Sequence, residues 1–137
     1  LVRGPALTRT GYGEHARFVL RSLRQCEFLD LYLLPINWGE SAWVWEDDEE
    51  RAWFDSLIKK TAIHSQQRGQ YDMSIQVTIP NEFEPMAPIN IGYTAGIETT
   101  RVAPEWLEIC NQMNKLVVVS NHSKNVLTMH DVYHCRW

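Results

Sequence analysis

No run of apolar residues in the chain approaches the roughly 20 that a membrane-spanning helix requires, and no secretory leader is visible. Cysteine is scarce. Cys26, Cys110 and Cys135 are odd in number, far apart and never spaced as CxxC, which argues against a disulfide framework or a structural zinc site. That usage suits a reducing compartment and predicts a cytoplasmic location. Clustered positive charge is missing as well. The formal net charge is −4, whereas nucleic-acid binding needs Lys and Arg gathered on one face, so nucleic acid is not an expected partner. Arg17, Arg21 and Arg24 come nearest to a patch, and their spacing reads as one solvated helix face. Neither an internal repeat nor a low-complexity segment is present.

What remains is the composition of a soluble globular domain: 137 residues, 45% hydrophobic and 22% charged, enough to bury a core without staples. Leu1 to Gly4 reads as the end of a buried strand, which predicts that the chain is a piece of a longer protein. Pro5 to Tyr12 reads as a loop. Ala16, Val19, Leu20 and Leu23 then share one face of a helix over about 13–25. Phe28 to Leu34 is dense in apolar residues and closed by Pro35, which predicts a buried strand. A second helix is expected over about 47–64, with Asp47 to Glu50 in its first turn complementing the helix dipole rather than holding a metal. Met73, Ile75, Val77 and Ile79 alternate with Ser74, Gln76 and Thr78, the period-2 signature of a half-buried strand. Pro88 to Tyr93 reads as another strand, Pro104 to Met113 as a helix opened by proline, and Lys115 to Val119 as a short strand. Ser120 is a good N-cap for a last helix. Strands alternating with helices predict the α/β class, a single Rossmann-like domain with a parallel sheet flanked by helices.

Ligands in such folds sit at the carboxyl ends of the strands, so the chemistry is sought in the loops that leave them. Gly11-Tyr12-Gly13-Glu14-His15-Ala16 has the form G-x-G-x-x-A, in which glycines before a helix let backbone N–H groups approach a phosphate. A dinucleotide site would want the first glycine directly after the strand and an acid at the end of the second strand. Here a loop intervenes, and Pro35, Ile36 and Asn37 stand where the acid belongs. Farther on, Glu98 and Arg101 leave one strand end together. Glu98 could accept from sugar hydroxyls or act as a base toward one, or simply pair with Arg101. His130 and His134 are spaced i, i+4 beside Asp131 and Cys135, but at a chain terminus they are not read as a metal site. His15 reads as a capping or packing residue, and neither His64 nor His122 has a partner visible in the sequence. Of the six tryptophans, Trp38, Trp43, Trp45 and Trp53 cluster around the second helix and read as core or interface rather than sugar platforms.

The block from Ile89 to Trp106, with its Ile97-Glu98-Thr99-Thr100-Arg101-Val102-Ala103-Pro104 exit, resembles the group 1 glycosyltransferases. The likeness continues through Val117-Val118-Val119-Ser120-Asn121-His122-Ser123-Lys124, a strand-to-helix turn, and the opening Gly11 to Arg17 is similar to the family's glycine-rich first loop. It spans Gly4 to about Leu127, so residues 1–127 are expected to form the acceptor-side N-terminal domain of a GT-B architecture, with 128–137 an atypical tail. The resemblance implies transfer of a sugar from a nucleotide-sugar to a glycan or lipid-linked acceptor. Gly11, Tyr12 and Gly13 would then lie toward the donor phosphates, Glu98 would be the catalytic carboxylate, and Thr99, Arg101, Ser120 and Lys124 would line the acceptor side. It implies no metal and no cofactor beyond the nucleotide-sugar substrate, with peripheral membrane association left open. The family's C-terminal donor-binding domain is absent from these residues, so no turnover is expected of them alone. A non-catalytic Rossmann-like interaction module, or an NAD-binding oxidoreductase domain, stands as the alternative.

Overall fold

The computed structural model describes residues 1–38, 43, 46–96, 99–132 and 135–136, the last two by their backbone alone. All described strand pairs are parallel and helices flank the strands, so the fold is α/β with a Rossmann-like parallel sheet, as the alternation of elements predicts. The chain divides into two compact units, Leu1–Tyr71 and Asp72–Trp137. No helix among the described residues is long and apolar enough to cross a membrane.

The first unit contains β1 (Val2–Gly4), α1 (Gly11–Arg24), β2 (Leu33–Pro35) and α2 (Glu49–Gln66). β1 and β2 run parallel, with Val2 opposite Leu33 and Gly4 opposite Pro35. Ala16 and Leu20 of α1 are buried, which places the apolar face read from the sequence on the inside. Asp48 caps α2 by accepting from the Arg51 N–H at 2.7 Å, so the acidic run is helix-end chemistry. One hydroxyl then ties α2 to its strand. Thr61 Oγ1 accepts from the Leu33 N–H at 2.9 Å and donates to Leu57 O at 2.8 Å, and it is buried.

Two expectations for this unit need correction. The strand foreseen over 28–34 is confined to Leu33–Pro35, and Phe28 is 86% exposed. Apolar density alone cannot tell a strand from a turn. Here the chain turns as it leaves α1, with the Cys26 and Leu29 N–H groups donating to Leu23 O and Cys26 O. His64, foreseen without a partner, has a ring nitrogen 2.9 Å from Gln70 O and packs its ring on Tyr32 and Tyr71.

The second unit contains β3 (Met73–Val77), β4 (Ile89–Thr94), α3 (Pro104–Gln112), β5 (Lys115–Val118), α4 (Asn121–Met129) and β6 (Cys135–Arg136), paired in the order β3-β4-β5-β6. Phe83, Cys110, Met113, Leu116, Val118, Leu127 and Val132 form one buried cluster. Pro104 opens α3 and Ser120 caps α4, both where the sequence places them. β6, in the tail segment, extends the ladder through Leu116 opposite Cys135.

The expected half-buried alternation along β3 needs correction: its polar side is buried, and on the other side Val77 is buried and Ile75 half-buried. Ser74, Gln76 and Thr78 are fully buried, while Met73 is 41% exposed. The reason lies in the connection to β4, which carries one 3-10 turn (Pro80–Glu82) and no α-helix. Parallel strands usually return through a helix that covers the sheet. In its place an extended strap is held to the sheet by side chains. The Gln76 amide accepts from the Glu84 N–H at 2.9 Å and donates to Glu84 O at 2.5 Å, as a neighbouring strand would. Asn90 Oδ1 accepts from Ser74 Oγ at 2.7 Å and from the Met86 and Ala87 N–H groups at 3.0 and 3.1 Å. Phe83 of the strap lies on β4 where Gly92 has no side chain; a Cβ there would come within 2.7 Å of the ring.

Burial of polar groups is tolerable only while each has its partner. Gln76→Leu should therefore cost about 1–3 kcal/mol through the stranded amide and carbonyl of Glu84, read as a fall in the denaturation midpoint. Unchanged stability would mean that the strap is not held by this amide.

Candidate functional site

The site is built at the exit of β1. After Gly4 the chain takes a tight path through Pro5–Thr10, with the Ala6 N–H donating to Gly4 O and the Thr8 N–H and hydroxyl both donating to Pro5 O at 2.9 Å. Thr8 Oγ1 lies 2.8 Å from Thr10 Oγ1, and Thr10 Oγ1 accepts from the Gly13 N–H at 3.0 Å to cap α1. The helix thus begins at Gly11, two residues before the expected start, because a threonine rather than a glycine ends the loop.

Beneath this loop lies a buried guanidinium. Arg17 donates through Nη1 to Ala6 O at 2.8 Å and to Thr8 O at 2.7 Å, and through Nε and Nη2 to Glu14 Oε2 at 3.1 and 2.6 Å. The expectation of a solvated arginine face is corrected here, since Arg17 is only 7% exposed. Loop carbonyls that turn inward need a donor, and the five N–H groups of arginine supply several from one side chain. Arg21, one turn on, grips Glu50 of α2 in a bidentate pair at 2.6 and 2.9 Å and touches Glu14 Oε1 at 3.3 Å. Arg24 stacks over Trp53, 4.5 Å from the ring centre. Hydrogen bonds from Arg17 lower the pKa of Glu14, and those from Arg21 lower that of Glu50. The same pairing raises the pKa of Arg21.

Loop, α1 and the start of α2 line an open cavity of about 510 Å³. Four guanidinium side chains line it, those of Arg9, Arg17, Arg21 and Arg51. Four carboxylates face them, from Glu14, Glu46, Asp48 and Glu50, so donors and acceptors are interleaved without a net formal charge. Such a wall suits a ligand that both gives and takes hydrogen bonds, as hydroxyl-rich molecules do. Gly11 is exposed at the rim, and a Cβ on it would meet nothing within 4 Å. Gly13 differs: a Cβ there would overlap Thr8 O and come within 2.8 Å of Pro5 O. Gly13 is required by the packing of the loop on the helix, whereas nothing among the described residues requires Gly11. Tyr12 is half-buried and meets Trp38 edge-on at 5.4 Å.

The remaining candidates lie in the second unit. Ser120 caps α4 by accepting from the Ser123 N–H at 3.1 Å, and the Lys124 N–H donates to Ser120 O at 3.1 Å. The exit of β4 meets this turn. Ser123 Oγ donates to Ala95 O at 3.4 Å, beside Gly96 at φ +91°, a conformation suited to glycine. Thr99 donates its hydroxyl to Arg101 O at 2.8 Å, and both residues are exposed. Among the described residues, no hydrogen bond or ion pair joins Thr99 or Arg101 to Ser120 or Lys124. Glu98, the expected catalytic carboxylate, lies outside the described residues, as do Trp45 and the His134 of the discarded metal pair. No group of three or more metal-ligating side chains occurs among the described residues.

Sequence reasoning missed Glu50 and the roles of Arg17 and Arg21. The i, i+3 spacing of Glu14 and Arg17 was the available local signal; the partner of Arg21 lies 29 residues away. The spacing from β1 to Gly11, with six residues between, and the end of β2 at Pro35 without an acid both depart from a dinucleotide site. No protein-family model, curated protein or solved structure matches the chain.

Two outcomes follow for this site. Gly13→Ala should destabilise the fold by about 1–3 kcal/mol through overpacking, while Gly11→Ala should leave it unchanged or raise it by up to about 1 kcal/mol; equal effects in thermal melts would remove the distinction drawn between the two glycines. The second concerns pH. Glu14 and Glu50 have folded pKa values below the ordinary 4.5, so their stabilisation is complete above that value and is lost as pH falls through the depressed ones. Arg21→Leu should flatten that acid-side loss, measured as melting temperature against pH.

Proposed function

We propose that the chain is the acceptor-side half of a glycosyltransferase of GT-B type, which transfers a sugar from a nucleotide-sugar to a glycan or lipid-linked acceptor. The observation that carries this reading is Gly11, a residue without a side chain lining the β1-exit cavity, where no contact among the described residues calls for a glycine. An exposed position without a side chain leaves room for a ligand to approach the backbone. The motif order gives further support, with a glycine-opened helix after β1 and a serine-capped helix after β5.

In this reading the exposed backbone at Gly11 stabilises the negative charge that develops on the leaving diphosphate. The interleaved arginines and carboxylates of the cavity hold hydroxyl-bearing substrate groups, and Glu98 serves the acceptor hydroxyl. A second domain grips most of the donor. The described tryptophans Trp38, Trp43, Trp53 and Trp106 are half-buried rather than displayed, and Gly11 is open, which favours a ligand site over the interaction-module alternative.

Titration of the chain with UDP- and GDP-sugars, followed by calorimetry, tests the reading. Saturable binding is expected, weakened roughly tenfold or more by Gly11→Val, since a branched side chain would occupy the approach. An identical affinity in a folded Gly11→Val protein, or no binding of any nucleotide-sugar, would overturn it. No turnover is expected from these 137 residues alone, and detectable transfer by them would contradict the half-cleft.

A further inference from the structure

Among the described residues, eight charged side chains line the β1-exit cavity, and the fold itself uses six of them. Glu14, Arg17, Arg21 and Glu50 are tied to one another. Asp48 caps α2 through the Arg51 N–H, and the Arg51 guanidinium holds Asp55 at 3.0 Å. Arg9 and Glu46 remain. Both are exposed, and among the described residues neither side chain has a hydrogen bond or an ion pair. They stand on separate loops, Arg9 after β1 and Glu46 ahead of α2, and an antiparallel bridge between Thr8 and Trp43 joins those loops. The cavity is left with one cation and one carboxylate to offer a ligand, beside an apolar part of the wall made by Ala6, Leu7 and Phe54.

The two groups ask for different things. A guanidinium without a carboxylate partner is matched by an anionic oxygen group, which takes its parallel N–H donors two at a time. A carboxylate is matched as well by neutral hydroxyls, which have only to donate. A cationic ligand would satisfy Glu46 but would enter a wall that already holds four guanidinium groups, Arg9 among them without a counter-charge. A diphosphate inside the cavity would satisfy Arg9 but would bring its multiple charge against four carboxylates. A ring that bears hydroxyls and a single anionic group leaves neither charge unmatched. We propose that Arg9 and Glu46 set the specificity of this cavity for an acidic sugar, with its anionic group on Arg9 and its ring hydroxyls on Glu46. Calling that sugar the acceptor rests on the transferase reading; the contact itself does not.

Glucuronate and glucose differ only by a carboxylate in place of a hydroxymethyl group, so titrating the whole chain with each, followed by heteronuclear NMR, tests the assignment. Glucuronate is expected to bind about tenfold more tightly than glucose, or better. Arg9→Gln should remove that preference by weakening glucuronate alone, and Glu46→Gln should weaken both sugars by about fivefold. Both side chains are exposed, so each variant should keep the melting temperature of the unaltered chain. Four results would overturn the proposal: no binding of glucuronate, equal affinity for the two sugars, a preference that survives Arg9→Gln, or sugar binding that Glu46→Gln leaves unchanged. Loss of UDP-glucose binding in Arg9→Gln, with glucuronate bound no better than glucose, would also overturn it and give Arg9 to the donor diphosphate. Absence of nucleotide-sugar binding beside an intact glucuronate preference would sink the transferase reading and leave the sugar site standing, so the two failures are distinguishable.

Discussion

A loop that leaves a strand and turns straight into a helix has carbonyl groups with nowhere to go. In Pro5–Thr10, Ala6 O and Thr8 O point inward, and the Arg17 guanidinium meets both from below while holding Glu14 beside it. An unsatisfied buried carbonyl costs on the order of 1–3 kcal/mol, and two of them would straighten the loop toward water. The path of that loop sets where Thr10 can cap α1. The cap in turn sets where Gly11 and its neighbours face, and so the shape of the cavity.

The second layer of the same arrangement is Arg21, whose bidentate pair with Glu50 ties α1 to α2 across the cavity wall. Both partners are partly exposed, so the pair contributes more to geometry than to stability. Its consequence is that Glu14, Arg17, Arg21 and Glu50 are paired with one another before any ligand arrives. A wall of this kind holds its shape and presents hydrogen-bonding edges of both kinds, which is the chemistry that hydroxyl-rich ligands need.

The second unit solves a different problem by related means. A return connection without a helix leaves one face of β3 and β4 to be covered by extended chain, and extended chain has polar backbone at every residue. Gln76 and Asn90 take up those groups from within the sheet, and Gly92 leaves room for Phe83 to seal the cover. Polar residues inside a sheet are here the condition for a strap to replace a helix.

Local chemistry was legible in the residues themselves. The apolar face of α1, the acidic cap of α2, Pro104 at the start of α3, Ser120 at the start of α4 and the parallel α/β class all follow from periodicity and capping, which act over a few residues. The glycine-rich helix start was legible too, but not the distinction between Gly11 and Gly13, because that depends on which atoms of the folded loop stand opposite each one. Tertiary structure alone decided that Arg17 is a buried strut, that Arg21 finds Glu50 29 residues away, that β3 buries its polar side and that Phe28 stands in solvent. For Arg21 and for β3 the outcome rests on partners distant in sequence. A side chain's type states what it can bind, and only the fold states what it meets.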